Sequence, residues 1–149
     1  MIALPTSEVF LDTSYALALT VATDVLHSRA LQVQEELLAR PVRLVTTRGV
    51  LLEIGNALAR QRWRPAAVEL LQTAEEDDTF LIEPWSESTY KKALDWYCRY
   101  KDKNWGLVDC MSFVVMEARG MNVALTADEH FVQRGYRAVL RETGPVLSS

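Results

Sequence analysis

The stretch EVFLDTSYALALTVA, residues 8–22, decides the fold class. Glu8-Val-Phe-Leu11 is a short apolar run that reads as a strand ending at Asp12. Thr13 or Ser14 can then cap a helix, because a hydroxyl there accepts from backbone N–H groups that have no partner inside the helix. Tyr15, Leu19 and Ala22 carry that helix forward. The strand-then-helix unit recurs downstream. Leu26, Ala30, Val33 and Leu37 fall on one amphipathic helical face, and Arg43–Thr46 reads as a second strand. Val50, Leu51, Ile54 and Leu58 mark a helix to about Gln61, and Pro65 opens the next at its first turn. Thr79–Ile82 is a third strand, and Ser86 to about Tyr100 is helical. Val108–Ala118 is nearly all apolar, so it reads as a buried central helix, ended by Gly120. Asn122–Leu125 is a fourth strand and Arg137–Leu140 a candidate fifth. Strands alternating with helices pair in parallel through right-handed crossovers. The expected class is α/β, a three-layer α/β/α sandwich with a central, mainly parallel sheet of four to five strands.

The 149 residues suit one domain, 1–149, which can bury roughly 70% of its unfolded surface without a metal or disulfide staple. Apolar residues at 49% and charged residues at 24% exclude disordered, collagen-like and coiled-coil classes. No apolar run is long enough to cross a membrane, and MIALPTSEVF lacks the basic and apolar regions of a secretion signal. Two cysteines, Cys98 and Cys110, in no metal-like spacing, fit a reducing compartment, so a cytoplasmic location is expected.

A net charge of −4 argues against a nucleic-acid partner only if charge is evenly spread. It is not. Glu75, Glu76, Asp77 and Asp78 supply all four excess negative charges. Between residues 40 and 64 lie six arginines (Arg40, Arg43, Arg48, Arg60, Arg62, Arg64) and a single acid, Glu53. That run is either an ordinary solvated surface or a phosphate-binding face.

Four acids occupy special places. Asp12 directly follows the first strand, and Asp128 lies three residues beyond the fourth. Glu53 sits early in the helix after the second strand, and Asp109 in the first turn of the apolar helix. Ligands of open parallel sheets bind outside the carboxyl ends of the strands, so all four can converge there. Each also has a structural explanation: dipole or capping for Asp12 and Asp109, a capping box Thr126-Ala-Asp-Glu129 that makes Asp128 a first-turn acid, a solvated stripe for Glu53. Together those explanations weaken, because buried carboxylates need a cation and no Lys or Arg is spaced to supply one. A hard ion, Mg²⁺ or Mn²⁺, suits an all-oxygen site. Such a site hydrolyses phosphodiesters by activating water and stabilising the leaving oxygen. Arg48 and Arg60, near Glu53, would hold flanking phosphates.

The motifs VFLDTS (9–14), LLEIGNAL (51–58), DKNWGLVDCMSFVVM (102–116) and ALTADEHFVQRGY (124–136), in this order, resemble a PIN domain. The similarity is greatest to the VapC-like ribonucleases, many of them toxins of type II toxin–antitoxin pairs. The resemblance spans essentially the whole chain. It implies Mg²⁺- or Mn²⁺-dependent cleavage of an RNA substrate, a homodimer and an antitoxin partner. The family's acid quartet falls on Asp12, Glu53, Asp109 and Asp128, and its small hydroxyl residue on Ser14. Many relatives carry Ser or Thr before the third acid, where this chain has Val108.

His27 and His130, at a surface turn or helix start, are set aside as bases, because a metal-bound water needs no imidazole. Cys110, Trp105 and Tyr15 read as core. The competing function is a non-catalytic RNA- or partner-binding module, which loss of one acid would have favoured. A phosphotransfer or receiver domain needs an acid pair at the first strand, and Leu11-Asp12-Thr13 offers one acid. A dinucleotide-binding domain needs a GxGxxG turn that is absent.

Overall fold

The computed structural model describes residues 7–147. Residues 1–6, part of the start inspected for a secretion signal, lie outside the described residues. The elements run β1 (Ser7–Leu11), α1 (Thr13–Thr20), α2 (His27–Leu38), β2 (Val42–Thr47), α3 (Arg48–Ala57), α4 (Arg64–Glu76) and β3 (Phe80–Glu83). Then come α5 (Glu87–Arg99), α6 (Leu107–Arg119), β4 (Val123–Leu125), α7 (Glu129–Gln133), β5 (Arg137–Ala138) and a 3₁₀ turn at Val139–Arg141.

The five strands form one sheet in the order β3-β2-β1-β4-β5, with every pairing parallel. The chain therefore steps outward from β1 to β3, then returns to β1's other side to lay down β4. That reversal makes the β1–β4 junction the switch point, where a crevice opens beyond the carboxyl ends of the strands. The register pairs Leu11 with Leu125, so Asp12 and Thr126 leave the sheet side by side.

Alternation along β1 divides the core into two layers. Phe10 packs with Val45, Ala124, Ile54, Ala93 and Phe113 beneath α3–α6. Val9 and Leu11 face the other way, against Ala30 and Val33 of α2 and Val139 and Leu140. Helix α6 is buried from Cys110 to Met116, and Trp105, Phe113 and Phe131 stack edge-on along it with centroids 5.0–5.1 Å apart. Gly120 ends it at φ 66°, a left-handed cap that costs a glycine little.

Three local expectations are corrected. Helix α1 is capped neither by Thr13 nor by Ser14: Asp12 occupies the cap position, and the helix stops at Thr20, where extended Val21 precedes the turn bonded by Asp24. Asp128 is the N-cap of α7, accepting the His130 N–H, and not a first-turn acid. The last strand is only Arg137–Ala138, because Leu140 N–H already bonds the Thr126 carbonyl from within the 3₁₀ turn.

Candidate active site

The sheet topology brings the carboxyl end of β1, the carboxyl end of β4 and the first turn of α6 together. Asp12, 6% exposed, sits at the base. Its Oδ2 accepts the Thr126 hydroxyl at 2.6 Å and the Ser14 hydroxyl at 3.2 Å. The Ser14 oxygen lies 3.0 Å from the Thr126 oxygen and receives the Ala127 N–H at 2.9 Å. Ser14 thus joins the two strand ends and hydrogen-bonds the acid. Thr126 also accepts the Asp128 N–H at 3.0 Å, which fixes the backbone that carries the fourth acid.

Asp109 lies in the first turn of α6, where its Oδ2 accepts the Gly106 N–H at 3.0 Å. Asp128 Oδ1 accepts the His130 N–H at 2.9 Å. The His130 ring enters between these two carboxylates, its Nδ1 3.1 Å from Asp109 Oδ2 and 3.2 Å from Asp128 Oδ1. Glu53, the most exposed of the four, accepts the Thr13 hydroxyl at 2.9 Å, which ties α3 to the first turn of α1.

The electrostatics link all four acids. Burial pushes the Asp12 carboxyl up to about 6, the charge of Asp109 adding to it and the hydrogen bonds from Thr126 and Ser14 opposing it. Glu53 is raised by partial burial and by the charges of Asp109 and Asp128. Asp109 is raised by burial, opposed by the Gly106 N–H, with the Asp128 charge adding. No Lys or Arg forms an ion pair with any of them among the described residues. Crowded acids whose one basic neighbour is His130, itself a metal-ligating side chain, fit a bound divalent cation. Asp109, Asp128 and His130 each offer a ligand atom within 4.8 Å of the others.

Thr13, Thr126 and His130 are absent from the sequence-based site. Thr126 does not cap α7, which Asp128 caps, and its hydroxyl donates to Asp12. His130 lies at a helix start, as its sequence position predicts, and the Asp-x-His spacing turns its ring back beside Asp128. Arg48 and Arg60 lie on exposed surface. Arg48 is paired with Glu75 of α4, and Arg60 stands 6.0 Å from the Trp63 ring, which Arg62 covers at 4.2 Å. Cys110, Trp105 and Tyr15 are core, as expected. Val108 is half-buried among the apolar residues beside α3. An apolar groove of about 840 Å³ lies elsewhere, among Tyr15, Leu19, Leu37, Leu70 and Phe80, and contains none of the four acids.

A family model for the PIN domain matches residues 9–135, most of the chain. The chain belongs to the PIN domain family. It is 28% identical over 134 residues to the 23S rRNA-specific endonuclease VapC20 of Mycobacterium tuberculosis, strains CDC 1551 / Oshkosh and ATCC 25618 / H37Rv. That match covers 90% of this chain and 99% of the relative. The crystal structure of M. tuberculosis VapC20, a Sarcin-Ricin loop cleaving toxin, superposes with a TM-score of 0.77 at 26% identity, covering 87% of this chain and 97% of that one. The five-stranded parallel sheet and flanking helices of this PIN domain match that architecture. No helix among the described residues is long and apolar enough to cross a membrane.

Proposed function

We propose that this PIN domain is a metal-dependent endoribonuclease, acting as a single domain over residues 1–149. The observation that supports the reading most is the grouping of Asp109, Asp128 and His130 within ligand distance at the switch point, with Asp12 and Glu53 close enough for Asp109's charge to raise both. The likeness to an rRNA-specific endonuclease supports RNA as the substrate.

In this reading Asp12, Glu53, Asp109 and Asp128 hold Mg²⁺ or Mn²⁺. The bound ion supplies a nucleophilic water near neutral pH and stabilises charge on the phosphodiester. Thr126 and Ser14 keep the Asp12 carboxylate aimed into the crevice, and Thr13 does the same for Glu53. Asp109 is held by the Gly106 N–H at the start of a rigid, buried helix, which suits a group that must keep its geometry. Arg60, and Arg48 once released from Glu75, contact flanking phosphates.

The protein works in the cytoplasm, as the toxin of a toxin–antitoxin pair and as a homodimer. An antitoxin segment that covers the acid crevice or the neighbouring arginines blocks RNA entry. Sedimentation at tens of micromolar reads the dimer directly, and a monomer would remove that part alone.

The deciding experiment incubates purified protein with labelled single-stranded RNA and with 23S rRNA, in Mg²⁺, in Mn²⁺ and in chelator. Cleavage in either metal and none in chelator is expected. Tight RNA binding with no cleavage in either metal would identify a binding module on a PIN fold.

A further inference from the structure

Of the two histidines, His27 is committed to the main chain, its Nδ1 2.7 Å from the Ala18 carbonyl. His130 is not. Its Nδ1 lies almost equally far from two carboxylate oxygens, at 3.1 and 3.2 Å. A neutral imidazole has one proton to give at Nδ1, so it cannot serve both acceptors at full strength. Neither oxygen depends on it: Asp109 Oδ2 already accepts the Gly106 N–H at 3.0 Å, and Asp128 Oδ1 the His130 N–H at 2.9 Å. Each oxygen stands from Nδ1 at about the spacing of neighbouring ligands in a coordination octahedron instead. Ligands at right angles on bonds of about 2.1 Å stand about 3 Å apart.

We propose that His130 is a direct metal ligand through Nδ1, forming an N,O,O face with Asp109 and Asp128, and that this imidazole biases the site towards Mn²⁺ over Mg²⁺. The reasoning on selectivity is chemical. Mg²⁺ prefers oxygen donors and gives up water reluctantly, whereas transition-metal ions accept imidazole readily. Coordination requires the ring proton on Nε2, leaving the Nδ1 lone pair to face the carboxylates. Position 130 suits this role because Asp128 caps α7 and the backbone turn that follows carries the ring back over its own cap.

The inference rests on the metal-dependent nuclease reading, and the two can fail separately. Mn²⁺ alone is the probe, with electron spin-echo envelope modulation on the Mn²⁺-loaded wild-type protein. Directly bonded ¹⁴N modulation is expected, and it disappears in His130→Ala. Titration followed by the signal of free Mn²⁺ should show the variant binding Mn²⁺ at least about tenfold more weakly. Competition by Mg²⁺ should show a smaller loss for that ion. Oxygen-only coordination in wild-type protein overturns the assignment, whatever the variant does, and so does unchanged Mn²⁺ affinity in folded His130→Ala. RNA cleavage without ¹⁴N modulation sinks the ligand assignment and leaves the nuclease. Modulation without cleavage supports the ligand and sinks the nuclease.

Discussion

The Thr126 hydroxyl donates to Asp12 Oδ2 at 2.6 Å, across the junction of two parallel strands whose last paired residues are Leu11 and Leu125. Thr126 is fully buried, and its oxygen also accepts the Asp128 N–H. One hydroxyl therefore holds the buried acid of β1 and the loop that carries the acid after β4.

Thr126→Val should break both functions with little change in volume. A buried carboxylate that loses its strongest donor costs about 1–3 kcal/mol. The donor stabilises the charged form of Asp12, so its loss raises that pKa further and moves the acid limb of the cleavage profile to higher pH. Thr126→Ser, which keeps the hydroxyl, should restore most of both. Urea unfolding and a pH–rate profile on the three proteins check this, and an unmoved acid limb in Thr126→Val would count against the hydroxyl's role.

The raised carboxyls set the pH dependence of stability without metal. Burial pushes the Asp12 carboxyl up to about 6 in the folded chain from its ordinary 3.8, so between those values the folded chain binds more protons than the unfolded one. Stability in chelator should then fall as pH rises from about 4 to 6, by up to about 3 kcal/mol from Asp12 alone, with Glu53 and Asp109 shifting the same way. Above pH 6 millimolar Mg²⁺ or Mn²⁺ should raise the melting temperature, increasingly with concentration, because the ion binds only the folded cluster. Melting curves that are flat across pH 4–7 and indifferent to metal would contradict the cluster.

How much of this was legible follows from which interactions are local. Asp12, Asp109 and Glu53 could be placed from sequence because a strand end, a helix start and a helical period are local features. The fold class followed from the same strand–helix alternation. The Thr126–Asp12 bond spans 114 residues and exists only in the β1–β4 register, which no short-range pattern encodes. The capping-box reading of Thr126 fails for a local reason: α7 begins only at Glu129, and Asp128 is its cap. His130 was legible in position but not in role, since its partner Asp109 lies 21 residues away on another helix. The arginine run reads as either a solvated surface or a phosphate-binding face, and Arg48 is paired with Glu75, one of the four acids that supply the chain's net charge.

That pairing gives a test of the RNA-binding surface. Arg60→Ala should weaken RNA binding and lower the slope of log affinity against log salt by about one. Glu75→Gln should strengthen binding by releasing Arg48, with little effect on stability because the pair is exposed. Filter binding across a salt series, in chelator to prevent cleavage, reads both. Identical slopes for wild type and Arg60→Ala would remove Arg60 from the interface.

The central claim is that the converging acids perform metal-dependent RNA hydrolysis, and Asp109 is its most exposed point because Asp12 and Glu53 both feel its charge. Asp109→Asn preserves size and removes one negative charge. As a helix-start acid alone, Asp109 would contribute at most about 1 kcal/mol, and cleavage would persist. As part of the metal site, its loss should lower single-stranded RNA cleavage in Mg²⁺ or Mn²⁺ by orders of magnitude. The melting temperature in chelator should hold or rise, since like-charge repulsion is relieved. Undiminished cleavage by folded Asp109→Asn protein would contradict the account.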